Sequence, residues 1–304
     1  MSRQRAKCTC CGGRFDVSTM IGTAMPNRGG NEAYMCRDCA TRNRPYHSGN
    51  NETHGTAKKN MVKTGHEIET AFNDDYARNI LFEFGCVPTN DGSLHGRRTC
   101  EFVSGTQQGL NISSKMWQTL ETLVQDGHIE INDTCGTHCH VSVNDMKDGN
   151  GNKTYMDYIR RYYHSLFIPL TEAMQSNPEK TKKLFGRFFN PTYATQVTEY
   201  SNPYTDRYLF INAKHDNRIE FRLNKFQSAK QAQTLVKMEV DMVNCILSNF
   251  CEHFQDPYSA IDVRRYYRIV NGVKKPSKDA YRKHKAQVTA NKLVKLFHKF
   301  ADSI

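Results

Sequence analysis

The chain lacks any apolar run approaching the roughly 20 residues that span a bilayer, which excludes a membrane-crossing helix. No apolar stretch follows the basic residues of its opening MSRQRAKCTCCGG, so no secretory signal is expected and the chain reads as cytosolic. Internal repeats are absent. No coiled-coil heptad directs an assembly, so oligomeric state is not set by the sequence. The loop Asp148–Thr154 (DGNGNKT) has neither the spacing of a phosphate-binding Walker loop nor that of an EF-hand, and reads as a turn. There is no G-x-S-x-G elbow, and His138-x-His140 is not the H-E-x-x-H pattern of a metalloprotease.

What is present is a polar chain of 304 residues, 38% hydrophobic and 24% charged, long enough for one sizeable domain and a smaller one. Its 42 Lys and Arg against 31 Asp and Glu leave a formal charge of +11, which favours anionic partners. Much of the excess lies between Arg264 and Lys299, so a nucleic-acid partner stays open. The eleven cysteines are an odd number, and in a reducing compartment clustered thiols read as metal ligands rather than bridges. Cys8-x-x-Cys11 and Cys36-x-x-Cys39 present two thiolate pairs to one tetrahedral Zn²⁺, with Cys10 as a competing ligand. Residues 1–41 are therefore expected to form a zinc ribbon with a structural metal. Residues 42–60, nearly devoid of apolar side chains and rich in Asn, Gly and Thr, read as a linker.

From residue 61 the pattern alternates between strands and amphipathic helices. A first helix is expected after the Asn73-Asp74-Asp75 cap, with Tyr76, Ile80, Leu81 and Phe84 on its apolar face and Gly85 as its stop. Further helices are expected near 113–126, 155–176, 228–255 and after Pro276. The last shows Leu293, Leu296, Phe297 and Phe300 at helical spacing, a face expected to dock on its own domain.

Side chains alternate across a strand, so each strand sorts into an apolar and a reactive side. In Lys63–Thr70, Glu67 and Glu69 share one face. In Gly136–Val143, His138, His140 and Ser142 oppose Cys139 and Val141. In Arg218–Leu223, Arg218, Glu220 and Arg222 oppose Ile219 and Phe221, and in Cys100–Ser104, Glu101 alternates with Phe102. One such strand is an ordinary exposed sheet face with cross-strand ion pairs. Several, rich in carboxylate and imidazole, point to one antiparallel sheet whose reactive face binds cations, with helices on the other face. Oxygen ligands with one or two imidazoles suit Mg²⁺ or Mn²⁺, and arginines on the same face suit phosphate. Metal and phosphate together suggest a nucleotide.

In order along the chain, Gly65-His66-Glu67-Ile68-Glu69, Asp91-Gly92-Ser93-Leu94 followed by Glu101-Phe102-Val103-Ser104, Gly136-Thr137-His138-Cys139-His140-Val141, Arg207-Tyr208 with Asn212, and Glu220-Phe221-Arg222 resemble the amidoligase family of carboxylate–amine ligases, relatives of glutamine synthetase and glutamate–cysteine ligase. Cys135–Ser142 is similar to the metal-binding histidine motif of glutamine synthetase itself. The resemblance covers roughly residues 61–250. It implies an α+β fold with a glutamine-synthetase-like curved antiparallel sheet and helices on one face. The corresponding division is a ribbon at 1–41, a linker at 42–60, a catalytic domain at 61–256 and a basic helical extension at 257–304.

The implied activity uses ATP and Mg²⁺ or Mn²⁺ to phosphorylate a carboxylate, and an amine then displaces phosphate to form an amide or isopeptide bond. By the same resemblance Glu67, His138 and Glu220 hold the metal on the ATP phosphates, and Glu69 and Glu101 hold a second metal near the acceptor carboxylate. Arg222 contacts phosphate, while Arg187 and Arg207 contact phosphate or the substrate carboxylate. Asp91 serves metal or amine, and His140 is either a ligand or a neighbour on the sheet face. Thr137 stands where the family more often has an apolar residue, and His66 occupies a variable place; neither removes a ligand. Nothing in the motifs identifies the acid or the amine, which the family allows to be peptides or macromolecules, and its members are often encoded in phage or bacterial gene clusters. The competing reading is a zinc-ribbon nucleic-acid-binding protein whose ligase-like domain is scaffold.

Overall fold

A computed structural model describes residues 5–7, 14–16, 20–26, 32–36, 63–104, 107–108, 110–142, 155–216, 218–254, 267–270 and 273–304. The fold is α+β, with helices and antiparallel sheet. The chain divides into two compact units, Met1–Asn50 with Thr64–His138 and Asn51–Lys63 with Cys139–Ile304.

The first unit opens with two antiparallel strand pairs, β1 (Arg5–Lys7) with β2 (Arg14–Asp16) and β3 (Met20–Pro26) with β4 (Glu32–Cys36). Cys36 is the last residue of β4, whereas Cys8, Cys10, Cys11 and Cys39 lie outside the described residues, as does the segment 42–60. Next come β5 (Lys63–Thr70), the short β6 (Phe72–Asn73) and α1 (Asp75–Glu83). Asp74 caps α1 by accepting from the Ala77 N–H at 2.8 Å, and its other carboxylate oxygen meets His128 Nδ1 at 2.7 Å. The buried face of α1 is Ala77 and Leu81; Tyr76, expected on that face, is 56% exposed and packs against the His128 ring instead. The cap sets where the helix begins, and the resulting phase turns Tyr76 outward.

β7 (Val87–Thr89) and β8 (Cys100–Val103) follow, then β9 (Gln107–Gln108), α2 (Leu110–Gln125), β10 (Ile129–Glu130) and the start of β11 (Thr137–Ser142). β8 pairs antiparallel with both β5 and β7, and β9 also pairs with β5. Between β7 and β8 the chain passes so close to β5's end that a side chain at Gly96 would overlap the Ala71 carbonyl. Met116, Trp117, Leu120 and Leu123, spaced for one helical face, are buried on α2.

In the second unit β12 (Ile211–Asn212) and β13 (Arg218–Phe221) form an antiparallel pair, and β13 pairs on with the part of β11 beyond His138. The single helix expected over 155–176 is two, α3 (Tyr155–Arg161) and α4 (Tyr163–Gln175), interrupted at Tyr162. A helix not foreseen in the sequence, α5 (Pro178–Phe185), starts with proline in its first turn and ends at Gly186 with φ 78°. An added side chain at Gly186 would also meet the Lys225 carbonyl at 2.6 Å, so this C-terminal stop accepts only glycine. α6 (Ala229–Phe254) precedes the hairpin β14 (Tyr267–Val270) and β15 (Val273–Pro276). α7 (Lys278–Ala301), capped by the Ser277 hydroxyl, packs on α4, α5 and α6. Leu293, Phe297 and Phe300 are buried there, while Leu296 is only half-buried. No helix among the described residues is long and apolar enough to cross a membrane.

Candidate functional site

In the first unit the alternation along β5 places Thr64, His66, Ile68 and Thr70 on one face and Glu67 and Glu69 on the other. The His66 ring meets the Trp117 ring edge-on with centroids 5.0 Å apart, and Thr70 Oγ1 donates to the Cys100 carbonyl at 3.0 Å. His66 therefore packs the sheet against α2, and Thr70 ties β5 to β8. On the opposite face the register sets Glu69 beside Glu101 of β8, and Glu101 beside Thr89 of β7.

Both β5 glutamates are buried, Glu67 at 8% exposure and Glu69 at 3%, which distinguishes this face from an ordinary solvated one. His138, at the start of β11, brings Nδ1 to 2.9 Å from Glu67 Oε2 and Nε2 to 3.8 Å from Glu69 Oε1. Glu69 also accepts a short hydrogen bond from the Gly136 N–H. Thr89 Oγ1 donates to Glu101 Oε1 at 3.0 Å. Asp91, in the loop after β7, holds the Ser93 N–H and hydroxyl, each at 2.8 Å. Carboxylate oxygens of Glu69, Asp91 and Glu101 all fall within 4.8 Å of one another.

Among the described residues no Lys or Arg forms an ion pair with Glu69, Asp91 or Glu101. Burial therefore pushes the Glu101 carboxyl up to about 8, and the negative charge of Glu67 adds to the effect. His138 and the Thr89 hydroxyl act against it, and Glu69 contributes a smaller upward push. A cation among these oxygens would relieve the crowding of negative charge around Glu101. Three hard oxygen donors beside one imidazole fit Mg²⁺ or Mn²⁺ better than Zn²⁺.

In the second unit Glu220 of β13 lies opposite His140 of β11 on one side and Asn212 of β12 on the other. Glu220 is 3% exposed. Its Oε2 accepts from Asn212 Nδ2 at 2.6 Å and lies 3.7 Å from His215 Nε2, while its Oε1 accepts a short ion-paired bond from Arg222. Arg218 Nε donates to His140 Nδ1 at 3.2 Å, and Arg218 Nη2 lies 3.4 Å from His215 Nε2. This places His140 within a hydrogen-bonded group that includes Arg218.

Arg222 also belongs to a stack of alternating guanidinium and phenol groups. Its guanidinium lies 5.8 Å from the Tyr208 ring, on which Arg207 also rests at 5.0 Å, and its Nε donates to the Tyr193 carbonyl at 3.4 Å. Arg187 lies 4.2 Å over the Tyr193 ring. Arg222 and Arg187 are half-buried and Arg207 is exposed. An open groove of about 910 Å³ on the same unit, lined by Tyr158, Arg160, His164, Tyr200 and Tyr204 among others, contains none of these sheet residues.

Asn212 enters the sequence reading only as part of a motif, and His215 does not enter it. Both act on Glu220 because β12, β13 and the turn between them bring them there, a placement that strand alternation alone does not encode. Cys8, Cys11 and Cys39, expected from the sequence to bind zinc, and the loop Asp148–Thr154 lie outside the described residues.

No protein-family model matches the chain, and no curated protein matches it in sequence. Among solved structures, a complex of the prokaryotic ubiquitin-like protein Pup with its ligase PafA matches over 80% of this chain and 64% of that one, at 10% sequence identity and a TM-score of 0.29. This chain thus spans somewhat less than two thirds of that structure's chain.

Proposed function

We propose that the protein is an ATP- and Mg²⁺-dependent carboxylate–amine ligase, with Mn²⁺ an acceptable substitute. The observation that carries this reading is the set of buried Glu69 and half-buried Asp91 and Glu101, whose oxygens crowd within 4.8 Å with no Lys or Arg paired to them among the described residues. A divalent cation among these oxygens would offset the charge that the cluster gathers.

The nucleotide metal is assigned to Glu67, His138 and Glu220, the set given by the amidoligase resemblance. The second metal is assigned to Glu69 and Glu101, and the proximity of the Asp91 carboxylate to both supports it as a third ligand. When bound, MgATP supplies the phosphoryl group that turns the acid into an acyl phosphate for attack by the amine. The chain's own contribution is positioning and charge. Thr89 orients the Glu101 carboxyl, and the Gly136 N–H orients that of Glu69. Asn212 and Arg222 fix the two oxygens of Glu220, and Arg222, Arg187 and Arg207 offer guanidinium groups to phosphate or substrate carboxylate. This reading leaves the acid and amine open, peptides and macromolecules included, and gives the N-terminal segment and the basic C-terminal end the delivery of a macromolecular substrate.

A screen of acids and amines for ADP release tests the proposal. Release that requires Mg²⁺, an acid and an amine together, and that falls at least about 100-fold in Glu101→Gln, is the expected result. Equal release by wild type and Glu101→Gln contradicts it.

A further inference from the structure

Arg160 lies outside every motif discussed above, yet it is buried and makes three hydrogen bonds. It sits on α3 with its side chain 7% exposed. Nε donates to the Ala213 carbonyl at 2.7 Å, and Nη2 donates to the Lys214 carbonyl at 2.7 Å and to Asp216 Oδ1 at 2.9 Å. Tyr204 covers its face with the ring centroid 5.4 Å away. A guanidinium is costly to bury, so a buried one is retained where its planar fork holds something that an ammonium cannot.

What it holds is the segment that follows β12. The β12–β13 pairing ends at Asn212 opposite Glu220, so the carbonyls of Ala213 and Lys214 gain no partner from that ladder, and Arg160 takes both. The segment is tightened from within, because Asn212 Oδ1 accepts from the Lys214 N–H at 2.9 Å. It is anchored just upstream, where the Tyr163 hydroxyl of α4 donates to the Ile211 carbonyl. His215 of this segment and Asn212 at its β12 end both reach Glu220 Oε2, at 3.7 Å and 2.6 Å.

We propose that Arg160 is a positioning residue for Glu220, acting through the 213–216 segment and without contact to substrate. The inference rests on the reading of Glu220 as a metal ligand in a nucleotide-dependent ligase. The fork matters and the ion pair does not: Asp216, 89% exposed, contributes little, whereas the two carbonyls require two N–H groups in one plane.

Two measurements on the full-length protein test this. Amide hydrogen exchange of wild type, Arg160→Lys and Asp216→Asn reads the clamp directly, with the Lys214 N–H as reporter. Arg160→Lys keeps charge and stem but loses the fork, so Lys214 should exchange at least tenfold faster while α4 and α6 amides keep wild-type protection. Asp216→Asn should match wild type. Unchanged Lys214 exchange in Arg160→Lys overturns the proposal whatever the protein binds. The second measurement is Mn²⁺ binding in the presence of ATP, followed by electron paramagnetic resonance. Arg160→Lys should raise the Mn²⁺ midpoint about tenfold with its unfolding temperature close to that of wild type, and Asp216→Asn should not. A wild-type midpoint in Arg160→Lys overturns the positioning role while leaving the ligase reading standing. Absence of ATP-dependent Mn²⁺ binding in wild type overturns the ligase reading and the positioning role with it.

Discussion

His138 Nδ1 lies 2.9 Å from Glu67 Oε2, and the same ring places Nε2 3.8 Å from Glu69 Oε1. One imidazole therefore stands between two buried carboxylates on adjacent same-face positions of β5. The pair supports a metal site only if the ring is fixed, and Glu67 fixes it. Glu67→Gln is expected to preserve the fold while weakening Mg²⁺ binding about 10- to 100-fold, and His138→Ala to weaken it more. Isothermal titration with Mg²⁺ checks both; an unchanged affinity in Glu67→Gln removes that residue from the metal.

Glu101 gives the metal site a pH dependence of predictable sign. Its carboxyl titrates at about 8 in the folded protein because of burial first and the Glu67 charge second, so below that pH it carries a proton that a cation must displace. Mg²⁺ affinity should rise by up to tenfold per pH unit between about pH 6 and 8 and level off above. In Glu101→Gln that slope should vanish. Calorimetry in buffers of different ionisation enthalpy would read the released proton, and a pH-independent affinity in wild type contradicts the assignment.

The second unit carries a raised carboxyl of its own. Glu239 on α6 is fully buried, accepts from Asn224 Nδ2 at 2.9 Å, and is pushed up to about 8 by burial, against the hydrogen bonds from Asn224 and the Cys139 thiol. An acid whose pKa rises on folding binds its proton more tightly in the native state, so stability falls as pH climbs from the unfolded value through the folded one. Between about pH 5 and 9 the metal-free protein should lose on the order of 1–3 kcal/mol relative to Glu239→Gln, which has no proton to lose. Urea unfolding of the two proteins across that range checks it, and parallel curves contradict it.

Much of this arrangement was legible because it is local. The alternation of Glu, His and Arg with Ile, Phe and Val marked β5, β8, β11 and β13, and the structure places strands at Lys63–Thr70, Cys100–Val103, Thr137–Ser142 and Arg218–Phe221. Alternation says which residues share a face; it does not say whether the face is covered, and the burial of Glu67 and Glu69 appeared only with the fold. Asp91 joins Glu69 and Glu101 through a loop, and His215 reaches Glu220 through a turn, so neither had a period to betray it. The helix Pro178–Phe185 escaped notice because it has barely two turns, although its proline start and Gly186 stop are ordinary boundary signals. Continuous apolar spacing across 155–176 hid the interruption at Tyr162, which periodicity alone does not detect.

The last helix provides a test of packing. Phe297 on α7 is fully buried, and this helix packs on α4 and α6. Phe297→Ala should cost about 3–5 kcal/mol, whereas an exposed lysine on the same helix, Lys299→Ala, should cost well under 1 kcal/mol. Chemical denaturation of both variants checks the contrast. A negligible loss for Phe297→Ala would show that α7 is not part of the cooperative core of its unit.

The most direct test of the account is the thermal stability of wild type and Glu220→Ala with and without ATP and Mg²⁺. A ligand that binds only the folded protein raises its stability by mass action, about 2.7 kcal/mol at one hundred times its dissociation constant. The account predicts an upward shift of about 5 °C or more in wild type that needs both ATP and Mg²⁺ and is lost in Glu220→Ala. No shift in wild type at millimolar MgATP, or an equal shift in Glu220→Ala, would contradict it.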